Sequence, residues 1–212
     1  MLSLSDAKKT YGIDVSHWQG TIDWKKASKM IDFAIIKAGG SDAGFYKDSK
    51  FDRNYEKLKE NGVSVGAYYF VGKDCTTYAA GVADAKRFLD IIKGKNFEFP
   101  LFIDIETTPI HKRQGATDAV IGFCETLEKA GAYAAIYGSD VGGFKDRLVL
   151  SRLAAFDKWV ARYGSKPKYV TKYGMWQKSS KGVIQGIKGN VDLDEAYLDY
   201  PAIMARTGLN KF

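Results

Sequence analysis

Two carboxylates lie two residues apart in a segment that otherwise has the composition of a buried strand. Asp104 and Glu106 end the run Phe-Pro-Leu-Phe-Ile-Asp-Ile-Glu at 99–106. Removing an unpaired charge from water is costly, so carboxylates in such a run indicate a functional site. Side chains at i and i+2 share one face of a strand and lie ~6.6 Å apart along it, close to the separation of carboxyl pairs that cleave glycosidic bonds. The spacing indicates sugar chemistry; the alternative is an acidic strand end capped by loop amides or by a basic side chain.

Strand-like and helix-like segments alternate along most of the chain. Apolar runs predict strands at 11–15, 33–38, 63–70, 99–105, 132–137 and 158–163. Apolar residues at helical spacing predict helices at 24–31, 51–61, 78–93 and 117–130. Gly62, Gly94 and Gly131 each follow a predicted helix, where glycine readily adopts the left-handed cap conformation. This alternation predicts parallel strands joined by crossover helices.

The pattern changes after residue 163. Short strands are predicted at 169–177, 183–187 and 191–193, with no room for helices between them. A barrel with eight full β/α repeats takes about 250 residues, whereas this chain has 212. We therefore predict an α/β fold in which residues 1–212 form a single-domain, modified (incomplete) β/α barrel, with loops or hairpins joining its last strands.

Barrels of this kind place their chemistry at the C-terminal ends of the strands. Asp104 and Glu106 lie at such an end, and Asp14 lies near the end of the first predicted strand. Asp192 falls in the last predicted strand. Four carboxylates from three strands are therefore expected to meet at one mouth.

Composition fits one soluble domain, with 45% hydrophobic and 27% charged residues. The opening Met-Leu-Ser-Leu-Ser-Asp lacks the charged and apolar regions of an export signal, and no apolar run is long enough to cross a bilayer. Cys75, Cys124, His17 and His111 lack the short spacings of a zinc site. Free thiols are the default expectation for the two cysteines, and a bridge stays open.

Basic residues are concentrated in one part of a chain whose formal net charge is +7. No acidic residue occurs between Asp157 and Asp192, where the basic residues are Lys158, Arg162, Lys166, Lys168, Lys172, Lys178, Lys181 and Lys188. Such a stretch either binds a polyanionic partner, such as nucleic acid, an anionic cell-wall polymer or a membrane surface, or is a solvated face.

Seven motifs, in this order, resemble the glycoside hydrolase family 25 lysozymes, and together they span nearly the whole chain. They are Gly-Ile-Asp-Val-Ser-His-Trp-Gln-Gly at 12–20, Gly-Ala-Tyr-Tyr-Phe at 66–70, Asp-Ile-Glu at 104–106, Ile-Tyr at 136–137, Trp-Val-Ala-Arg-Tyr at 159–163, Trp-Gln at 176–177 and Asn-Val-Asp-Leu-Asp at 190–194.

The resemblance implies hydrolysis of the β-1,4 bond between N-acetylmuramic acid and N-acetylglucosamine in peptidoglycan. Glu106 matches the general acid. Asp104 matches its partner, either a nucleophile or a group that steadies the substrate's own 2-acetamido group during attack. Asp14 and Asp192 match two further acidic positions of the cleft, and ordering a loop is the alternative role for either.

The resemblance also assigns aromatic residues to the sugar site, namely Tyr68, Tyr137, Tyr163 and Trp176. Core packing is an equal alternative for Tyr163, and His17 is interpreted as structural. Tyr69 replaces a frequent histidine and Lys178 a common aromatic residue, which leaves the glycan preference open.

The interpretation requires no metal and no cofactor, and it predicts peptidoglycan glycan strands as the partner, without nucleic acid binding or membrane insertion. A bacteriophage or prophage endolysin is expected, made in the host cytoplasm without a signal peptide and acting on the wall after release. No separate wall-binding module is expected. The rivals are a glycosidase of another amino sugar polymer, such as chitin, and a non-catalytic glycan-binding protein.

Overall fold

Eight strands close into a barrel in the computed structural model, which describes residues 9–212. The expectation about the N-terminal export signal falls on residues outside this range. Nine strands are present in the described chain: β1 (Thr10–Val15), β2 (Phe33–Gly40), β3 (Tyr46–Lys47), β4 (Ser64–Phe70), β5 (Leu101–Asp104), β6 (Ala134–Ser139), β7 (Asp157–Ala161), β8 (Met175–Gly182) and β9 (Val191–Ala196).

The strands follow the order β1-β2-β4-β5-β6-β7-β8-β9 around the barrel, and β9 pairs with β1 to close it. All neighbouring pairs from β1 to β8 are parallel, whereas β9 is antiparallel to both β8 and β1. The short strand β3 extends the edge of β2 and lies outside the closed ring. The predicted modified β/α barrel is confirmed, and the modification is the antiparallel β9.

Helices cover only part of the barrel. Five α-helices are described: α1 (Trp24–Ala27), α2 (Phe51–Glu60), α3 (Tyr78–Ile92), α4 (Arg113–Lys129) and α5 (Tyr200–Thr207). Gly62, Gly94 and Gly131 follow α2, α3 and α4 with φ angles of 71°, 77° and 85°, as predicted for left-handed caps. The connections after β6 contain only a π turn at Asp140–Lys145 and a 3₁₀ turn at Leu150–Leu153. Loops and a hairpin therefore join the last strands, as expected.

Two of the short strands predicted near the C-terminus are misplaced. The strand predicted at 169–177 begins only at Met175, because the Asp140 carboxylate accepts the backbone N–H groups of residues 168–170 and holds them in a loop. The strand predicted at 183–187 is a turn in the β8–β9 connection, where Ile187 N–H bonds to the Ile184 carbonyl. Helix α5 was not predicted.

Apolar side chains pack in two layers. One layer lies between the strands and the outer helices, and the other fills the lower part of the barrel. Phe33 and Phe99 stack there with ring centroids 4.3 Å apart, and Tyr200 of α5 packs 5.2 Å from Phe99. Helix α5 therefore fills the end of the barrel where the parallel strands begin, and the opposite end stays open.

Cys75 and Cys124 are both buried and unbridged. No helix among residues 9–212 is long and apolar enough to span a bilayer.

Candidate active site

A cleft of about 380 Å³ opens at the C-terminal ends of the parallel strands. Its walls carry five carboxyl groups, one lysine, several aromatic rings and an amide: Asp14, Trp18, Lys37, Asp42, Tyr68, Phe70, Asp104, Glu106, Tyr137, Trp159, Tyr163, Gln177 and Asp192. A larger hollow of about 590 Å³ lies on the outer surface beside α1 and α2. Its acidic groups, Asp23 and Glu60, are solvent-exposed, so we place the chemistry in the cleft.

Side chains alternate between the two faces of a strand, and this alternation directs the carboxylates into the barrel. Asp104 follows Phe102 of the interior layer by two residues, so both face inward. Ile13 and Val15 pack in the outer layer, which leaves Asp14 between them facing inward. Asp14 also lies directly opposite Asp192 in the antiparallel β1–β9 register. The predicted meeting of Asp14, Asp104, Glu106 and Asp192 at one mouth is therefore present in the structure.

Asp104 is the deepest of the paired carboxylates. It is 5% exposed, and no donor among the described residues reaches its buried Oδ1 atom. Burial, followed by the charge of Glu106, raises the pKa of Asp104 well above its usual range, and the Lys37 ammonium opposes the rise. Asp104 therefore lines the cleft with a carboxyl group whose buried Oδ1 atom receives no hydrogen bond from the described residues.

Glu106 lies just beyond the end of β5 and is exposed at the mouth. Partial desolvation within the cleft and then the charge of Asp192 raise the pKa of Glu106, whereas Arg147 and Lys37 oppose the rise. Because solvent reaches the side chain, the effect is weaker than at Asp104. The two carboxyl groups thus occupy unlike environments: Asp104 is enclosed in the cleft, whereas Glu106 lies at the mouth, where a bound sugar and solvent can exchange a proton with it.

A hydrogen-bonded network surrounds Asp14. Gln177 donates its Nε2–H to Asp14 Oδ2 at 2.8 Å. The Oε1 atom of Gln177 accepts the hydroxyl groups of Tyr137 and Tyr163, each at 3.0 Å. These bonds fix which end of the amide faces Asp14. They also connect a buried tyrosine to Tyr163, which is exposed at the mouth.

Aromatic rings form the cleft wall. Trp159 lies inside the barrel with Tyr137 at 4.4 Å and Tyr68 at 6.4 Å between ring centroids. Trp18, beside the mouth, is 80% exposed. A large apolar ring left in solvent next to a polar cleft is suited to stacking on the apolar face of a sugar.

Trp176 is placed differently from the other predicted sugar-binding residues. Its cross-strand partners on β7 and β9 direct their side chains out of the barrel. The Nε1–H of Trp176 donates to the Arg162 carbonyl at 2.8 Å. Gln177, the next residue, faces the interior instead. Trp176 therefore anchors the β7–β8 loop from outside the barrel and does not line the cleft.

The sequence interpretation missed several cleft residues. Lys37 lies in an apolar strand run, which is the same signal that identified Asp104. Gln177 directly follows Trp176 in a quoted motif, and only the strand register shows which of the two faces inward. Trp159 and Trp18 also lie within quoted motifs but were not assigned to the cleft. Asp42 lies in a loop that carries no such signal.

His17 lies beside the cleft without lining it. Its Nδ1 atom is 2.6 Å from Asp48 Oδ2, and its ring is 4.7 Å from Trp18. This geometry orders the loop that carries Trp18. Among residues 9–212, no group of three or more His, Cys, Asp or Glu side chains is arranged to hold a metal ion.

Comparisons with known proteins agree with this geometry. The sequence model of "Glycosyl hydrolases family 25" matches residues 13–187. The chain is 30% identical over 193 residues to uncharacterized protein YegX of Escherichia coli O157:H7, covering 87% of this chain and 68% of YegX. It is 29% identical over 209 residues to Lysozyme M1 of Streptomyces globisporus, covering 89% of this chain and 68% of that protein.

A solved structure shows the same architecture. The crystal structure of the CTP1L endolysin superposes with a TM-score of 0.78 at 28% identity, covering 95% of this chain and 70% of that one. The family match extends over most of the barrel and includes Asp14, Asp104 and Glu106. Asp192 lies five positions after the last matched residue. The protein therefore belongs to glycosyl hydrolase family 25.

Proposed function

We propose that this protein is a lysozyme that hydrolyses the β-1,4 bond between N-acetylmuramic acid and N-acetylglucosamine in bacterial peptidoglycan. The observation that carries the proposal is the carboxyl pair in one aromatic-walled cleft, with Asp104 buried and unpaired and Glu106 exposed at the mouth. Family membership and the lysozyme and endolysin names of its relatives support the same activity.

Glu106 is proposed as the general acid. Its place at the mouth lets it reach an oxygen between two sugar rings, which the buried Asp104 does not, and its raised pKa keeps it protonated to higher pH than an ordinary glutamate. As the bond from the anomeric carbon to that oxygen breaks, Glu106 gives its proton to the leaving sugar. The resulting carboxylate then takes a proton from the water that completes hydrolysis.

Asp104 is proposed as the partner that acts at the anomeric carbon. In one scheme its carboxylate bonds to that carbon. In the other, the oxygen of the 2-acetamido group forms the bond, and Asp104 accepts the acetamido N–H. The Asp104 carboxyl group suits both, since it lines the cleft and no described donor occupies its Oδ1 atom. Each scheme uses two displacements and retains the anomeric configuration.

The remaining cleft residues are proposed to bind and to tune the site. Asp192 keeps Glu106 protonated through its negative charge, and Asp14 holds the Gln177 amide. Tyr68, Tyr137 and Tyr163 line the path of the glycan.

The products of digestion test the reaction. We expect early digests of purified peptidoglycan to carry N-acetylmuramic acid at the new reducing ends, in the β configuration, because two displacements restore the original geometry. Proton NMR recorded before mutarotation measures the configuration, and reduction with borohydride followed by sugar analysis identifies the end group.

Each other result has a definite meaning. An initial α product indicates inversion and removes Asp104 from the proposed role. N-acetylglucosamine at the new ends refutes the muramidase assignment. Cleavage of chitin oligosaccharides in preference to peptidoglycan favours the rival glycosidase, and wall binding without any product favours a glycan-binding protein.

The basic stretch is proposed to bind anionic wall polymers through fewer residues than the sequence indicated. Lys158 is 7% exposed, and its ammonium donates to two backbone carbonyls. Arg162 pairs with Asp140, and Lys178 pairs with Glu195. These three are therefore removed from the proposed surface, and the exposed remainder is Lys166, Lys168, Lys172, Lys181 and Lys188.

Salt dependence tests this surface. Replacing Lys166, Lys168 and Lys172 with Gln is expected to weaken wall binding at low salt and to flatten its decline as salt rises, because exposed charges are screened over about 8 Å at physiological ionic strength. Pull-down with purified walls measures binding. The matched control replaces Lys29, Lys86 and Lys93, which are also exposed. Equal behaviour of the two triple variants would assign the stretch to a solvated face.

We further propose that the described residues form one catalytic domain that acts on the bacterial cell wall. A bacteriophage or prophage origin stays a prediction.

A further inference from the structure

One buried carboxyl group beside the cleft has no place in the proposed reaction. Asp194 is 1% exposed and is absent from the cleft lining. Its Oδ1 atom accepts the Nε1–H of Trp159 at 2.8 Å. Its Oδ2 atom is buried, and no N–H or O–H donor among residues 9–212 reaches it.

Asp194 contacts Asp14, which does line the cleft. Asp192 lies opposite Asp14 in the β1–β9 register, and Asp194, two residues further along β9, directs its side chain to the same face. A side-chain hydrogen bond links the Asp14 and Asp194 carboxyl groups. Gln177 lies opposite Asp194 in the β8–β9 register and donates to Asp14. Two carboxylates in contact cannot both be ionised in a buried site, since the repulsion of like charges adds to the loss of hydration. At least one of the pair therefore carries a proton.

The surroundings decide which one. Asp14 is the more exposed, and it receives the Gln177 donor. Asp194 is buried more deeply and has only the Trp159 donor. Burial raises the pKa of Asp14 to about 8 and that of Asp194 well above its usual range, and their mutual hydrogen bond raises the pKa of Asp194 while it lowers that of Asp14. The negative charge is thus better placed on Asp14, and the proton on Asp194 Oδ2, the oxygen that has no donor.

We propose that Asp194 is a positioning residue that remains a neutral carboxylic acid and donates its proton to Asp14, which faces the cleft and is the member of the pair that ionises. In this arrangement Trp159 and Asp194 form a buried chain of donors that ends on Asp14. Together with the Gln177 amide, it fixes the direction of the hydrogen bonds that run from Tyr137 and Tyr163 through Gln177 to Asp14. A neutral Asp194 also removes one negative charge from a site that already holds several.

Other groups face this pair from the surrounding elements. Asp192 is on β9, Asp104 on β5, Glu106 beyond it, Lys37 on β2, Tyr68 on β4, Tyr137 on β6 and Tyr163 beyond β7. Among them Lys37 is the one cation. The nearby carboxylates oppose ionisation of the pair, so they favour retention of the shared proton.

The state of the free protein tests the proposal independently of the proposed lysozyme activity. Carbon-13 NMR of protein labelled at the aspartate carboxyl carbons is expected to show one resonance that stays protonated at pH 7 and disappears in Asp194→Asn. The Asp14 resonance, assigned by its loss in Asp14→Asn, is expected to titrate at higher pH in Asp194→Ala, because a donor to the carboxylate is lost. Titration of the Asp194 carboxyl in the ordinary range of aspartate would overturn the proposal.

Kinetics provide the second readout, which rests on the proposed function. Asp194→Ala is expected to lower kcat by up to about 100-fold, because loss of the hydrogen bond lets Asp14 and the residues it holds shift, and small misplacements in a site have effects of that size. It is also expected to move the acidic limb of the pH profile to higher pH. The asparagine of Asp194→Asn can still accept a hydrogen bond from Trp159 and donate one to Asp14. Its kcat is therefore expected to lie within about fivefold of that of the unmodified protein, with the acidic limb at its original pH. Thermal unfolding confirms that each variant is folded.

The two readouts separate two kinds of failure. If neither substitution changes the NMR titration of Asp14, the positioning role is refuted whatever the lysis assay shows. If Asp194→Asn lowers kcat and moves the acidic limb as much as Asp194→Ala does, Asp194 acts through a charge and the neutral-acid assignment is wrong. If the NMR titrations agree with the expected ones and the unmodified protein does not cleave peptidoglycan, the proposed function fails and the assignment of the proton to Asp194 stands.

Discussion

Lysis by the Glu106→Gln variant is expected to fall by about 10²- to 10⁴-fold, the usual effect of removing a general acid. Glutamine has nearly the same shape but has no carboxyl proton for the leaving sugar. Within residues 9–212, no side chain forms an ion pair or a hydrogen bond with Glu106 that would tie its loss to stability, and Glu106 is exposed. The fold and the binding to walls are therefore expected to persist. The clearing of a suspension of purified walls measures lysis, and circular dichroism checks the fold.

The control is Glu56→Gln, which removes an exposed carboxylate from α2. It is expected to lyse walls normally. Near-normal lysis by a folded Glu106→Gln protein would exclude Glu106 as the proton donor.

The pH profile supplies a companion measurement for the same residue. Desolvation and the charge of Asp192 raise the pKa of Glu106, so the proton donor persists to higher pH than in an ordinary glutamate. Asp192→Asn removes the negative charge and therefore lowers that pKa. The alkaline limb of kcat/KM is expected to move to lower pH, and an unmoved limb would exclude Asp192 from this role.

The Asp104→Asn variant is expected to lose roughly 10²- to 10³-fold in kcat, the scale of losing one electrostatic contact to the transition state. Asparagine can neither attack the anomeric carbon nor offer a negative charge to the acetamido group as it attacks. Since both effects arise mainly in the transition state, KM is expected to change little. Initial rates on soluble peptidoglycan fragments measure the two constants separately.

Asp90→Asn is the matched control, because Asp90 is exposed on α3 away from the cleft. A large rise in KM with unchanged kcat would show that Asp104 binds substrate without acting in the chemical step. Normal constants would remove it from the mechanism.

Much of the fold was predictable because local chemistry and the global fold agree. Apolar runs and helical spacing identified the six strands before residue 164 and the helices between them, with shifts of a few residues at their ends. The predictions failed where a side chain supplied the hydrogen bonds. Asp140 accepts three backbone N–H groups, which keeps residues 168–170 out of the strand that their composition favours.

The carboxylates were predictable for a different reason. A charge in a buried strand is expensive, so Asp104 was conspicuous in its apolar run, and barrel geometry placed Asp14 and Asp192 at the same mouth. The same signal at Lys37 was overlooked. Lys158 shows the limit of counting charges, because its position in a basic stretch suggested a surface residue, whereas its ammonium is held inside by two carbonyl groups.

The sequence by itself determined the class of barrel, the carboxyl pair and the family. Only the tertiary structure decided which side of each strand faces the cleft, since a shift of one residue reverses every side chain. It turned Gln177 inward and Trp176 outward, and it brought Asp194 against Asp14 across the antiparallel closure of β9 on β1. These contacts join residues far apart in the chain, and their geometry depends on how the barrel closes, which no local pattern encodes.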